Sequence, residues 1–566
     1  MLDFADMVKM RWLLVGVAAF ACSEMLWAQG VGYDGTVTAK ADHADLAKQI
    51  EALLAADPLV ARAHWGIDVT AMDGSPIYSL NEGQLFQPAS NTKMFTTVTA
   101  LALLGANTTF ETKVIARGVF NGSDKLTGDI VLVGSGDANL SGREIPYVPP
   151  AMRPKVAPGE TPPPGPPALR YLDDMADQIA KTGLKVVNGD VVGDDTLFPW
   201  QPYPEDWSID DTVWGYGAPV SAIAISDNQI KVTVAPGDVA GKPATVVIDP
   251  IRPYYTLDVT SLVTGPAKSG SHVQIDRALG SRMLRIYGSI AADAHPDEEE
   301  IAIHDPAEYA AAALKSMLEA RGIVITGVAK ARHKMPTDSR GFMQASHEAI
   351  TSLNQPGVFY SPLQRSLTQS SCDHCDPATL PVDKVVASHT SPPLIEDMTV
   401  TNKVSQNLHA EMFLHNVGAS VLGDGSIVSG ARVIRAFLTT RAGVDPDDFV
   451  FFDGSGLSGH DLVAPRATAK LLQYAATQSW FADWRRTLPI GGEDGSLAER
   501  FPKAPLKDHV FAKTGTLGEA RALSGYLDCA SGRTVIFSIM VGNHMPRSNA
   551  DREVMDKIVA AVAAAN

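Results

Sequence analysis

Strand-like alternation stands at both ends of this chain, and it constrains the fold more than any other feature. His64-Trp65-Gly66-Ile67-Asp68-Val69 alternates, Asp73-Gly74 supplies a turn signal, and Pro76 to Leu80 resumes, so residues 63–80 read as a hairpin. Far away, Glu519 to Asp528 and Thr534 to Val541 form a second alternating pair, joined by Ala530-Ser531-Gly532-Arg533. The final segment, Asn549 to Ala565, has helical spacing at Val554, Ile558, Val559 and Val562. With helical runs near residues 94–104, 397–417 and 429–442, the pattern predicts one mixed α/β (α+β) domain built from both chain ends. The middle is then an insertion.

The length allows this. At about 100–200 residues per domain, 566 residues make three or four domains. The middle carries strand-rich stretches at 185–197 and 219–290, broken by Gly, Pro and Asp-Asn punctuation. Two long loops interrupt it: the proline-rich 144–167, and 340–388, which holds Cys372-Asp373-His374-Cys375. Two cysteines do not make a zinc site, which wants four ligands, so a local disulfide or free thiols is the better reading and no metal or other cofactor is expected. Lys9 and Arg11 followed by the apolar Trp12 to Cys22, with small residues offering cleavage after Ala21 or Ala28, read as an export signal. A retained anchor, with peripheral membrane contact, is the alternative. The charge balance of 47 Lys+Arg against 64 Asp+Glu, net −17, argues against a nucleic-acid partner.

Several motifs fail on context. Gly30-Val31-Gly32-Tyr33-Asp34-Gly35 fits G-x-G-x-x-G but neither follows a strand nor opens a helix. The informative set is serine chemistry with lysine in place of histidine. Ser90-Asn91-Thr92-Lys93 is the only S-x-x-K and opens a helix with Met94, Val98, Leu101 and Leu104 on its buried side. Positions i and i+3 share a helix face, so the Lys93 amine reaches the Ser90 hydroxyl, which is a poor nucleophile until a base takes its proton. Taken alone, Ser90 as a helix cap with Lys93 solvated would be the better account.

Two further signals raise it. Lys-Thr-Gly occurs twice: Lys181-Thr182-Gly183 closes a helix, whereas Lys513-Thr514-Gly515-Thr516 ends the strand His509 to Ala512. A strand edge suits an extended peptide and its terminal carboxylate, so only the second copy is placed for chemistry. Of four Ser-x-Asn copies, at Ser79, Ser226, Ser352 and Ser405, only Ser405-Gln406-Asn407 lies between helical segments of the two-ended domain. A serine and an amide there suit proton return to a leaving amine and grip on a peptide bond.

This ordered set resembles that of the penicillin-binding proteins and serine β-lactamases. Ser391-Pro392-Pro393-Leu394, Asn402 to Glu411, Asp453-Gly454-Ser455-Gly456-Leu457-Ser458, Leu488-Pro489 with Gly492 to Leu497, and Leu523-Ser524-Gly525-Tyr526 are similar to the D-alanyl-D-alanine carboxypeptidase/endopeptidase family, the class C or PBP4-like penicillin-binding proteins. Gly128-Asp129, Gly134 to Asp137 and Gly189 to Asp195 resemble that family's inserted domain. The resemblance implies a β-lactamase/transpeptidase-like domain of antiparallel sheet and helices (40–120 and 389–566) behind a signal at 1–28. It also implies an inserted domain (121–220 and 298–388) and a second one nested inside it (221–297).

By the same resemblance, the substrates are peptidoglycan stem peptides, and β-lactams are covalent inhibitors. Ser90 is acylated, Lys93 is the base, and Ser405 with Lys513 returns the proton. Asn407 orients the peptide, the Ser90 and Thr516 N–H groups form the oxyanion hole, and Thr514, Gly515 and Thr516 receive the carboxylate end. Asp211, with Tyr216 beside it, meets the amino end of a diaminopimelate side chain; the plainer account makes Asp211 a turn or capping residue. A β-lactamase, and a wall-binding sensor that acylates and stops, are the alternatives.

Overall fold

The computed structural model describes residues 37–39, 43–154, 165–250, 254–353 and 382–566. The export segment, the Gly30–Gly35 motif, and Cys372 with Cys375 lie outside the described residues. No helix among those described is long and apolar enough to cross a membrane.

The two chain ends share a six-stranded sheet. Its order is Val37–Ala39, Pro76–Leu80, His64–Ala71, Thr534–Gly542, Ala520–Asp528 and Val510–Leu517, so the last strand is an edge. Every pairing is antiparallel, and His64–Ala71 from the N-terminal part runs against Thr534–Gly542 from the C-terminal part over eight registered pairs. The central strands alternate less than half-buried strands would, because both of their faces are covered. Ile536 and Met540 join the core of Phe95, Val98, Leu471 and Trp484, while helix Ala550–Ala565 packs on strand Ala520–Asp528.

The helix Thr92–Leu104, called α1 here, runs through that core. The expected one-sided burial is replaced by burial of every side chain from Thr92 to Leu101, and Leu104 is only half-buried. Three of its buried threonines are bonded: Thr92 donates to Asp461 Oδ2 at 3.0 Å, Thr96 donates to Gly454 O at 2.7 Å and Thr97 accepts from the Trp484 indole at 3.2 Å.

The middle of the chain forms three more sheets. A seven-stranded sheet includes Glu111–Phe120, Lys125–Val133, Val191–Pro199 and Val382–Thr390, with helices Arg170–Lys181 and Pro306–Ala320 in its core. Glu111–Phe120 pairs with the returning strand Val382–Thr390, so the outgoing and returning chains zip together there. A three-stranded sheet and a four-stranded sheet occupy residues 229–302. Asp297–Ala302 pairs with Gln229–Ala235 in the three-stranded sheet. The long helical run near 397–417 is two helices, α2 (Leu394–Lys403) and α3 (Asn407–Leu422), broken at Ser405, whose φ is 61°.

Candidate active site

Ser90 lies in a short 3-10 turn, Ala89–Asn91, just ahead of α1, and makes no side-chain cap. The turn is pinned to the sheet: the Asn91 amide donates to Ser524 Oγ at 2.8 Å, and Ser524 bonds Ser538 at 3.0 Å. One helical turn on, the fully buried Lys93 places Nζ 2.9 Å from Ser90 Oγ, 2.6 Å from Asn407 Oδ1 and 2.7 Å from Ser455 O. This removes the account in which Lys93 is solvated.

The second amine comes from the edge strand. Lys513 Nζ donates to Ser405 Oγ at 2.9 Å and to Thr514 O at 3.0 Å, and is likewise fully buried. The strand can lie this close only because residue 515 has no side chain: a Cβ there would sit 2.5 Å from Pro88 O and 3.2 Å from Ser90 N. Thr514 Oγ1 shares a 2.7 Å hydrogen bond with Ser496, and Thr516 is exposed at the open end. Lys181-Thr182-Gly183, by contrast, ends an outer helix with Gly183 at φ 87°.

Electrostatics follow from burial. Desolvation lowers the Lys93 pKa to about 8, against the carboxyls of Asp453, Glu411 and Asp461, which favour its charge. Lys513 is held well below the ordinary lysine value, first by burial and then by the charge of Lys93. Both amines are therefore poised by the dry site more than by each other. Glu411 is raised to about 8, mainly by burial.

Asp211 and Tyr216 are linked to Asn407 through the Tyr216 backbone. Tyr216 Oη donates to Asp211 Oδ1 at 2.7 Å, and the Tyr216 carbonyl accepts from Asn407 Nδ2 at 2.9 Å. Among the described residues no group of three or more His, Cys, Asp or Glu side chains is arranged to hold a metal ion.

The D-Ala-D-Ala carboxypeptidase 3 (S13) family profile matches residues 46–350 and 372–565. The chain belongs to this family. A D-alanyl-D-alanine carboxypeptidase of Actinomadura sp. (strain R39) is 30% identical over 88% of this chain and 81% of its own length. A penicillin-sensitive carboxypeptidase A of Dictyostelium discoideum is 23% identical over 85% of this chain and 83% of its own. The crystal structure of penicillin-binding protein 4 from Haemophilus influenzae superposes with a TM-score of 0.69 at 20% identity, covering 92% of this chain and 98% of that one. The mixed α/β fold expected from the sequence is the fold of that solved structure.

Around the S13 motifs, the structure adds residues that the sequence did not single out for a role. His409, at the start of α3, is fully buried between Asp397 Oδ1 at 2.5 Å and Asp227 Oδ1 at 3.2 Å. Burial opposes the His409 charge, but the two carboxylates outweigh it and raise the pKa to about 9. Burial likewise opposes ionisation of Asp227, yet the Arg143 guanidinium and His409 pull its pKa down. Asp227 belongs to the discarded Ser226-x-Asn228 copy, so that segment braces the working one. Tyr147, from the proline-rich loop, accepts the Gly495 N–H at 3.2 Å beside Ser496. A lone buried histidine and a loop tyrosine leave no periodic signal, so only the tertiary structure finds them.

Proposed function

We propose that this S13 protein removes the terminal D-alanine of peptidoglycan stem peptides through an acyl-enzyme on Ser90 and also opens cross-links made through D-alanine. The observation that carries this is the Ser90 Oγ–Lys93 Nζ contact of 2.9 Å beside Lys513 and Ser405. Neutral Lys93 takes the Ser90 proton as the oxygen attacks the penultimate D-alanine carbonyl. Ser405, backed by Lys513, protonates the departing amine and is reprotonated in turn by the proton that Lys93 took, so the amide bond breaks to leave an ester on Ser90 and Lys93 neutral again. Water then attacks the ester, gives its proton to Lys93, and Ser90 regains its hydrogen.

Asn407 aligns the peptide, while the Ser90 and Thr516 N–H groups stabilise the oxyanion. Thr514, Gly515 and Thr516 take the substrate carboxylate at the sheet edge. Asp211 with Tyr216 takes the amino end of a diaminopimelate side chain. The penicillin sensitivity named for the Dictyostelium relative, together with the acylatable Ser90, supports β-lactams as covalent inhibitors. The leader-like Lys9 to Ala28 and the wall substrate support work outside the cytoplasm.

The test is product analysis. Purified protein is incubated with a D-Ala-D-Ala pentapeptide, with cross-linked sacculi and with penicillin, alongside Ser90→Ala. Free D-alanine and resolved cross-links, both absent with Ser90→Ala, are expected. Acylation without D-alanine release would make the protein a sensor, and rapid penicillin turnover would make it a β-lactamase.

A further inference from the structure

The partners of Lys93 define more than a nearby base; they define where its lone pair points. A neutral amine has two hydrogens and one lone pair, and Lys93 Nζ has three oxygen neighbours. Ser455 O is a carbonyl and only accepts. Asn407 Nδ2 is committed to the Tyr216 carbonyl, so the amide turns Oδ1 toward Lys93, and that atom also only accepts. Both hydrogens therefore go to Asn407 and Ser455, and the lone pair falls on the Ser90 hydroxyl.

The Ser455 carbonyl is aimed by a carboxylate. Asp453 accepts the backbone N–H groups of Ser455 at 3.1 Å, Gly456 at 2.6 Å, Leu457 at 2.9 Å and Ser458 at 2.7 Å, which winds residues 453–458 into a tight loop. A fifth N–H comes from outside that loop: the Trp207 indole donates to Asp453 Oδ2 at 2.9 Å from the inserted part of the chain. Glu205 O accepts from Ser458 Oγ at 3.0 Å and steadies the same join. On its other side the loop abuts the nucleophile's turn, where Gly456 has φ 81° and a Cβ would lie 1.8 Å from Ala89 O.

We propose that Trp207 and Asp453 are positioning residues for the general base, holding Ser455 O so that, with Asn407, it fixes the Lys93 lone pair on Ser90. The inserted part thus orients the base at two points, through Trp207 and through the Tyr216 carbonyl. This inference rests on the acyl-enzyme reading of Ser90.

The charged and titratable groups facing Lys93 are Asp453 and Asp461 from the loop side, Glu411 from α3 and Lys513 from the edge strand. An ammonium that loses the Ser455 acceptor is less stable, so its pKa falls. The expected signature of a disturbed join is then two-fold: a lower plateau, because the lone pair is no longer aimed, and an acid limb moved to lower pH.

The experiment measures acylation of the full chain by a labelled penicillin between about pH 6 and 10, separating the saturating rate from the half-saturating concentration. Trp207→Phe is expected to lower the plateau about tenfold, leave half-saturation within about twofold, and move the acid limb down by about half a pH unit. Trp207 replaced by benzothienylalanine, which swaps only the N–H for sulfur, is expected to do the same and decides the matter if the phenylalanine protein does not fold. A wild-type plateau and limb in these variants overturns the proposal, and so does a lowered plateau with an unmoved limb, the mark of a merely structural residue. Failure of the wild-type protein to acylate, or labelling that survives Ser90→Ala, overturns the acyl-enzyme reading instead.

Discussion

The burial of Lys93 sets a pH dependence that can be worked out in advance. An ordinary lysine at 10.5 is neutral in about 0.03% of molecules at pH 7, whereas one lowered to about 8 is neutral in about 9%, a gain of about 300-fold in working base. The saturating rate of Ser90 acylation by a labelled penicillin is thus expected to rise about tenfold per pH unit below pH 7 and to reach half its plateau near pH 8. Lys93→Arg keeps a cation in place but cannot shed its proton, so the rate is expected to fall by about 10²–10⁴ with the limb abolished. Rapid-mixing fluorescence reads both, with circular dichroism checking the fold at each pH. A midpoint close to the unshifted lysine value, or a rate flat between pH 6 and 9, would refute the argument that dryness keeps the base neutral.

Gly515→Ala pushes a methyl group into Pro88 O and so moves the edge strand off Ser90; acylation is expected to drop about 10²-fold, read by the same labelling, with little change in melting temperature. Lys403 and Asp494 form a buried pair at 2.7 Å, so Lys403→Ala, which strands the carboxylate, is expected to cost about 3–5 kcal/mol in urea unfolding. The folded pKa of His409 lies above its unfolded value of 6.5, at about 9, so its contribution is complete below pH 6.5 and lost as pH rises through 9. It amounts to about 3 kcal/mol, and the wild-type fall in stability from pH 6 to 9.5 is expected to exceed that of His409→Gln by about this much. Glu411 acts in the same direction in both proteins and cancels. Asp211→Asn is expected to raise KM about tenfold for a stem peptide with a free diaminopimelate amine relative to one whose amine is acetylated.

Much of the site was legible because its chemistry is local. Ser90 and Lys93 lie one turn apart where the 3-10 turn Ala89–Asn91 runs into α1, so a spacing of three is enough to place them together. Lys513 could be told from Lys181 because one follows a strand pattern and the other closes a helix, although the strand continues through the motif to Leu517. Long-range pairing was less legible: Glu111–Phe120 with Val382–Thr390 joins residues about 270 apart, and no window on the sequence contains both. The one-sided pattern expected of α1 gave way to burial all round, because what surrounds a helix is set by neighbours from distant parts of the chain.

The sequence by itself determined that the two ends make one sheet and which serine, lysines and asparagine are the candidates for the chemistry. Those facts depend on periodicity and short spacings. The tertiary structure alone decided the protonation and direction of that chemistry. A lysine is lowered to about 8 only when packing strips it of water, and its lone pair is aimed only when Ser455 O and Asn407 Oδ1 arrive from segments more than 300 residues away. Desolvation and hydrogen-bond direction are properties of the assembled interior, so no stretch of the chain holds them alone.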